Sequence, residues 1–134
     1  MNVTASALSL NVSNVNASAE FLKRHFGFTE AMNVPDQVVS LARPDVGFNI
    51  IYLKTGMESF KPSHRASHAG EGLLVVFVVD RIDDEYERLV GENVRVVTPI
   101  ETEPWGERYF QVEDPNGIII QLVQWMTEPN QEAH

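Results

Sequence analysis

The sequence of 134 residues contains no cysteine, and this absence removes several kinds of chemistry. Without thiols the chain cannot form a disulfide framework, a thiolate nucleophile or a cysteine-based zinc site. No apolar run in it approaches the length of a membrane-spanning helix, which is roughly 20 residues. It also lacks a cationic leader followed by an apolar stretch, the pattern of a secretion signal. These absences predict a cytoplasmic protein that has no membrane partner.

Basic residues are scarce relative to acidic ones. The chain has 10 lysines and arginines against 19 aspartates and glutamates, which gives a formal net charge of -9. Such a charge repels phosphate backbones, so nucleic acid is not an expected partner. It would attract a cationic ligand, although acidity is also a common route to solubility. No Gly-x-Ser-x-Gly, Walker or Gly-x-Gly-x-x-Gly motif is present, and we predict neither a catalytic nucleophile nor a nucleotide cofactor.

The first half of the chain shows one helix among strands. Polarity alternates over 7–13, which predicts a strand with one apolar face. A helix follows, with Asn14 or Asn16 as the N-cap and Gly27 as its end. Its buried positions are predicted to be Val15, Ala19, Leu22 and Phe26. Three extended runs separated by turn residues come next, at 28–34, 37–43 and 46–54.

The second half repeats this order. The unbroken apolar run at 73–79 predicts a strand that is covered on both faces. Asp80 then resembles an N-cap that forms a capping box with Asp83, and Gly91 ends the helix. The buried positions of this helix are predicted to be Ile82, Tyr86, Leu89 and Val90. Strands follow at 94–101, 107–113 and 118–124, the last two joined by a turn at 114–117.

The two halves therefore share the order strand, helix, strand, strand, strand. We predict an α+β fold built from two tandem βαβββ modules. Module one covers about 7–54, a linker covers 55–71, and module two covers about 72–126. Together they are predicted to form a single domain over 1–134.

This duplicated pattern resembles the vicinal oxygen chelate superfamily, the fold of glyoxalases, bleomycin-resistance proteins and extradiol dioxygenases. The Pro-Trp-Gly at 104–106 and the Asp-Pro-Asn-Gly at 114–117 look like motifs of the metal-free bleomycin-resistance group, and 80–86 is similar to the start of its second helix. The resemblance implies a curved mixed sheet that forms a half-barrel cup, with the helices on its convex side. It also implies a homodimer whose ligand grooves lie at the interface.

The metal enzymes of that superfamily carry four ligands on the first and last strands of each module. Their divalent ion chelates two adjacent substrate oxygens. Our alignment places Ala7, Ile51, Leu74 and Gln121 at these positions. Three aliphatic side chains and one amide cannot hold such an ion, so we expect no metal and no cofactor at that site. His64 and His68, spaced i and i+4, are a weaker metal hypothesis because their flanks disfavour a helix.

Side chains alternate between the two faces of a strand, so residues that do not pack on a helix face the cup. On this basis, and from the motifs, the predicted ligand-binding residues are Ser9, Asn11, Asn49, Phe60, Trp105, Tyr109, Gln111 and Gln121. An apolar floor with a few amides, hydroxyls and an aromatic ring is typical of a small-molecule site. Trp105 either stacks on a planar ligand or plugs the barrel end. Glu101, Glu103, Glu107 and Glu113 could add an anionic rim.

The leading functional hypothesis is metal-independent binding and sequestration of a drug or natural product, with a ligand that is aromatic or cationic. The alternative is an enzyme of the same fold, a lyase or isomerase, whose metal site is absent or unusual, for example His64, His68 and a glutamate. A third hypothesis is a structural or regulatory module with an empty cup. In the first and third readings the chain has no catalytic residue.

Overall fold

The computed structural model describes residues 1–57 and 66–126. The chain divides into two compact units, Met1–Glu71 and Gly72–His134. In its described residues, each unit contains one helix and four strands in the predicted order βαβββ, so the predicted α+β fold of two modules is confirmed. Phe60 and His64 lie outside the described residues, and the assignment of both modules to a single domain stays a prediction.

The first unit is an open, mixed sheet with one helix. Its elements are β1 (Ala7–Val12), α1 (Val15–Phe26), β2 (Thr29–Val34), β3 (Val38–Ala42) and β4 (Asn49–Lys54). The strand order is β1-β4-β3-β2, in which β1 and β4 are parallel and the other pairs are antiparallel. The helix α1 contacts β3 and β4. The buried core between helix and sheet includes Leu10, Val12, Val15, Leu22, Ile50 and Tyr52.

Local sequence signals fix both ends of α1 where they were predicted. The side chain of Asn14 accepts a hydrogen bond from the backbone N–H of Ala17 at 3.1 Å, which caps the first turn. Gly27 ends the helix with a φ of 68°, in the left-handed region. A Cβ atom at Gly27 would also lie only 3.0 Å from Nη1 of Arg43. The left-handed backbone conformation and the close contact with Arg43 therefore both favour glycine at this position.

The second unit repeats this architecture. Its elements are β5 (Val75–Val78), α2 (Ile82–Gly91), β6 (Arg95–Thr102), β7 (Glu107–Glu113) and β8 (Ile119–Trp125). The strand order is β5-β8-β7-β6, with β5 and β8 parallel. The helix α2 contacts β6, β7 and β8. Its core includes Ile82, Leu89, Phe110, Val112, Ile120 and Leu122.

The predicted start and inner face of α2 need correction. The N-cap is Arg81, and Asp80 forms no capping box with Asp83. The N–H of Ile82 instead donates to Oε1 of Gln124 at 3.0 Å, so a distant strand residue caps the helix. Val90 is 48% exposed because it lies on the outer side of the helix. Gly91 is the last helical residue, and Glu92 follows as the C-cap.

The strand β5 also differs from its prediction as a strand covered on both faces. Val75 is buried, whereas Val76 and Val78 are 43% and 67% exposed. The reason is that β5 is the edge strand of its sheet, and its unit supplies a helix to only one sheet face. Neither sheet closes into a barrel within the described ranges. In those same ranges no helix is long and apolar enough to cross a membrane.

Candidate functional site

The candidate site lies on the face of the second unit's sheet opposite α2, which we call the open face. Phe110, Val112 and Ile120 are buried on the helix side. The alternate positions and their strand partners therefore lie on the open face. These residues are Val76, Val78, Arg95, Thr98, Glu101, Glu107, Tyr109, Gln111, Glu113, Ile119, Gln121, Val123 and Trp125.

Two glutamines form the centre of the open face. Gln111 on β7 lies directly opposite Gln121 on β8. Nε2 of Gln111 donates to Oε1 of Gln121 at 2.8 Å, and Oγ1 of Thr98 donates to Oε1 of Gln111 at 2.7 Å. Nε2 of Gln121 donates to Oε2 of Glu107 at 3.4 Å. A continuous row of hydrogen bonds thus crosses the sheet, and Gln121 within it is only 8% exposed.

Trp105 lies in the turn between β6 and β7, beside this row. The turn is closed by a hydrogen bond from the N–H of Gly106 to the carbonyl of Glu103, and Gly106 has a φ of 96°. Nε1 of Trp105 donates to Oε1 of Glu107 at 3.0 Å. Trp105 is 61% exposed even so. Its polar edge is fixed while most of its apolar surface faces solvent, as a stacking platform requires.

The Tyr109 hydroxyl is held by two carboxylates. It lies 2.9 Å from Oε1 of Glu101 and 3.0 Å from Oε2 of Glu103. The hydrogen bond with Glu101, followed by that with Glu103 and by burial, raises the pKa of Tyr109 well above its ordinary value. A hydroxyl has one proton to donate, so the two carboxylates share it. Tyr109 is therefore a neutral phenol that anchors carboxylates, and it is not a base.

Tyr109 should resist ionisation in alkaline solution. Because its folded-state pKa is raised, the stabilisation from its hydrogen bonds is complete below the unfolded value of about 10 and is lost as pH rises through the folded value. We expect the ultraviolet titration of wild type minus that of Tyr109→Phe to contain no phenolate step near pH 10. Replacing both Glu101 and Glu103 with glutamine should restore that step. A step near pH 10 in the wild-type difference would contradict this assignment.

The remaining described site residues lie in the first unit. Asn49 pairs with Ala7, and Ser9 and Asn11 continue the same face, opposite the buried Leu10. Ser9 is exposed, but Asn11 is buried and its Nδ2 donates to the carbonyl of Ser67 at 3.0 Å. The backbone carbonyl of Asn11 also accepts from Ala69. Asn11 thus binds the segment that contains Ser67 and Ala69 to β1. Its contact with a ligand stays a prediction.

The donor set at the superfamily's usual metal positions does not fit a divalent ion. The side chains of Ala7, Ile51 and Leu74 offer no ligand atom. The side chain of Gln121 is hydrogen-bonded to those of Gln111 and Glu107. His68 contacts the carbonyl of Ala69 through its ring nitrogen. No group of three or more histidines, aspartates or glutamates with metal-binding geometry occurs among residues 1–57 and 66–126. We therefore derive no chemical step through a metal at these positions.

A shallow cavity of about 320 Å³ lies on the other face of this sheet, at the start of α2. Its lining residues are Arg81, Ile82, Asp83, Asp84 and Gln124. Gln124 is committed to the helix cap, and Asp83 is paired with Arg108 at 2.6 Å. Because its polar groups already serve the packing of α2, we do not assign the ligand to this cavity.

Sequence reasoning did not place Thr98, Val76 or Val78 on the open face. The face of Thr98 could not be predicted, because β6 changes register between Val96 and Thr98 and again between Thr98 and Glu101. Such bulges break the alternation on which face assignments depend. The exposed valines of β5 were missed because a continuous apolar run was interpreted as fully covered. Glu107 was recognised as a rim charge, but its bonds to both Trp105 and Gln121 were not.

The family model described as the Glyoxalase/Bleomycin resistance protein/Dioxygenase superfamily matches residues 4–122. The chain belongs to this superfamily. A search of curated proteins finds no significant match.

Three solved structures share this fold. A glyoxalase/bleomycin resistance protein/dioxygenase from Nocardioides has a TM-score of 0.75 and 20% identity, covering 100% of this chain and 91% of its own. Lactoylglutathione lyase from Agrobacterium tumefaciens has a TM-score of 0.73 and 15% sequence identity, and the match covers 92% of this chain and 94% of the lyase. TioX from Micromonospora sp. ML1 has a TM-score of 0.71 and 21% sequence identity, and the match covers 92% of this chain and 99% of TioX. At these identities the similarity establishes the fold, and the specific function is argued from the site.

Proposed function

We propose that this superfamily member binds and sequesters a small molecule, a drug or natural product with an aromatic or cationic group, without using a metal. The observation that carries the proposal is the composition of the open face. Apolar Val76 and Val78 lie at one side, the two glutamines lie in the centre, and carboxylates lie beside Trp105. Such a face offers apolar surface together with a few fixed polar groups, as small-molecule sites do.

The polarity of the open face indicates how a ligand would lie on it. Val78 pairs with Val123, which is buried, so the accessible apolar side consists of Val76 and Val78 at the β5 edge. At the opposite side the carboxylates of Glu101 and Glu103 surround Tyr109. A ligand with an apolar body and a cationic or planar end would match both sides. A cytoplasmic homodimer with grooves at its interface remains part of this proposal.

The experiment that tests the proposal is a binding titration with aromatic probes of different charge. We would use bleomycin, the planar cation ethidium, the planar anion 1-anilinonaphthalene-8-sulfonate and neutral 2-naphthalenemethanol, measured by isothermal titration calorimetry. We expect saturable binding of ethidium or bleomycin. An aromatic anchor at a binding site contributes enough that Trp105→Ala should weaken binding by at least about tenfold.

Val90→Ala on the outer side of α2 is the control, because it removes exposed apolar surface away from the open face and should change affinity by less than about threefold. If no probe binds the wild type, or if Trp105→Ala binds as tightly as wild type, the proposed function is wrong. Metal analysis of the purified protein separates it from the enzyme alternative. A stoichiometric divalent ion would favour a metal-dependent lyase or isomerase.

A further inference from the structure

We infer that Glu107 is a positioning residue that fixes the direction of the hydrogen-bond row across the open face and the orientation of Trp105 together. The inference rests on the proposed function and concerns the specificity of that same site. The observation behind it is that the two oxygens of one carboxylate have different partners. Oε1 accepts from Nε1 of Trp105, and Oε2 accepts from Nε2 of Gln121.

The chemistry of the groups explains why Glu107 sets the direction. A primary amide can donate through nitrogen or accept through oxygen, and a threonine hydroxyl can do both. Thr98, Gln111 and Gln121 could therefore be arranged in either sense. An ionised carboxylate can only accept, so the nitrogen of Gln121 must face Glu107. The oxygen of Gln121 must then face Gln111, which in turn presents its own oxygen to Thr98.

The same carboxylate fixes the indole, because the Nε1–H of tryptophan can only donate. One side chain thus couples the aromatic platform to the amide row. A ligand that lies on the open face meets a fixed pattern of amide donors and acceptors rather than two glutamines that can flip. Preorganised polar groups discriminate between ligands, because a ligand group that meets the wrong partner loses its hydration and gains no hydrogen bond. Glu107 therefore sets specificity through other residues.

The matched control is Glu113→Gln. Glu113 lies on the same strand and the same sheet face as Glu107, but it pairs with Arg95 at 3.1 Å. Both substitutions remove one negative charge from β7 and leave a side chain of nearly the same size. Any effect that comes only from lost charge, or from a general loosening of the sheet, should be shared by the two variants.

The test is made on the free protein by nuclear magnetic resonance of ¹⁵N-labelled side chains. We expect Glu107→Gln to shift the indole signal of Trp105 and the amide signals of Gln111 and Gln121 together, while Glu113→Gln leaves them in place. Exchange of the Trp105 indole proton with solvent should become about tenfold faster, as expected for loss of a charge-assisted hydrogen bond. Thermal melting confirms that each variant is folded.

A second measurement tests the coupling directly. Gln121→Leu should move the Trp105 indole signal when Glu107 is present, and should leave it unchanged in the Glu107→Gln background. If Glu107→Gln moves Trp105 but not the glutamines, or if the effect of Gln121→Leu persists without Glu107, the inference is wrong. None of these measurements uses a ligand, so their outcome is independent of whether ethidium or bleomycin binds.

Discussion

Replacing Phe110 with alanine is expected to lower the free energy of unfolding by about 3 to 5 kcal/mol. Phe110 is fully buried on β7, and its ring meets that of Tyr86 on α2 edge-on at 4.9 Å. The substitution removes the transfer free energy of the ring and leaves a cavity between helix and sheet. It also removes the aromatic pair, which adds to the loss.

Chemical denaturation followed by circular dichroism measures this effect. Val90→Ala is the matched control, because Val90 lies on the outer side of α2 in the same unit. An exposed substitution of this kind changes stability by about 0.5 kcal/mol or less. A loss below about 1.5 kcal/mol for Phe110→Ala would contradict the assignment of Phe110 to the centre of this core.

Replacing Asp114 with alanine is expected to cost about 1.5 to 3 kcal/mol, the range for hydrogen bonds to a charged group. Asp114 is buried in the turn between β7 and β8. Its Oδ1 accepts from the backbone N–H of Asn116 at 2.8 Å and from that of Ile118 at 2.9 Å. Alanine would leave both donors without this acceptor, in a place where water reaches poorly.

Asp114→Asn separates the hydrogen bonds from the bulk of the side chain, because its amide oxygen still accepts. We expect it to recover at least half of the stability that Asp114→Ala loses in the same denaturation experiment. The turn also sets the register that places Gln111 opposite Gln121. Equal losses in the two variants would mean that the carboxylate charge, and not the acceptor geometry, holds the turn.

The parts of the fold that could be predicted from sequence are those governed by local periodicity and by turn chemistry. α1 was predicted with its end at Gly27 and its start at Asn14 or Asn16, because such caps act through contacts within the helix itself, and the structure selects Asn14. The cap of α2 could not be predicted in the same way. Its acceptor is Gln124, which lies 42 residues away along the chain, and no local pattern marks such a contact.

The same distinction applies to the candidate site. Alternation along β7 and β8 correctly placed Tyr109, Gln111 and Gln121 on the face opposite the buried Phe110. Their contact with a ligand stays a prediction. The partners of these residues could not be predicted, because Glu107 accepts from Gln121 on the neighbouring strand, whose paired residue is Gln111 and not Glu107. Sequence patterns give the face on which a side chain lies, and only three-dimensional structure gives the network that it joins.

The parallel pairing of β5 with β8 determines the order in which the second unit can form. Val75 pairs with Ile120, about 45 residues later in the chain. At roughly 5 to 20 residues per second, a ribosome needs about 2 to 9 s to complete the partner after β5 has been made. Until then, the unpaired apolar run at 73–79 has the length and β-propensity of segments that aggregate. Asp80 and Arg81 follow this run, and charges at the end of an apolar strand are of the kind that limits such association.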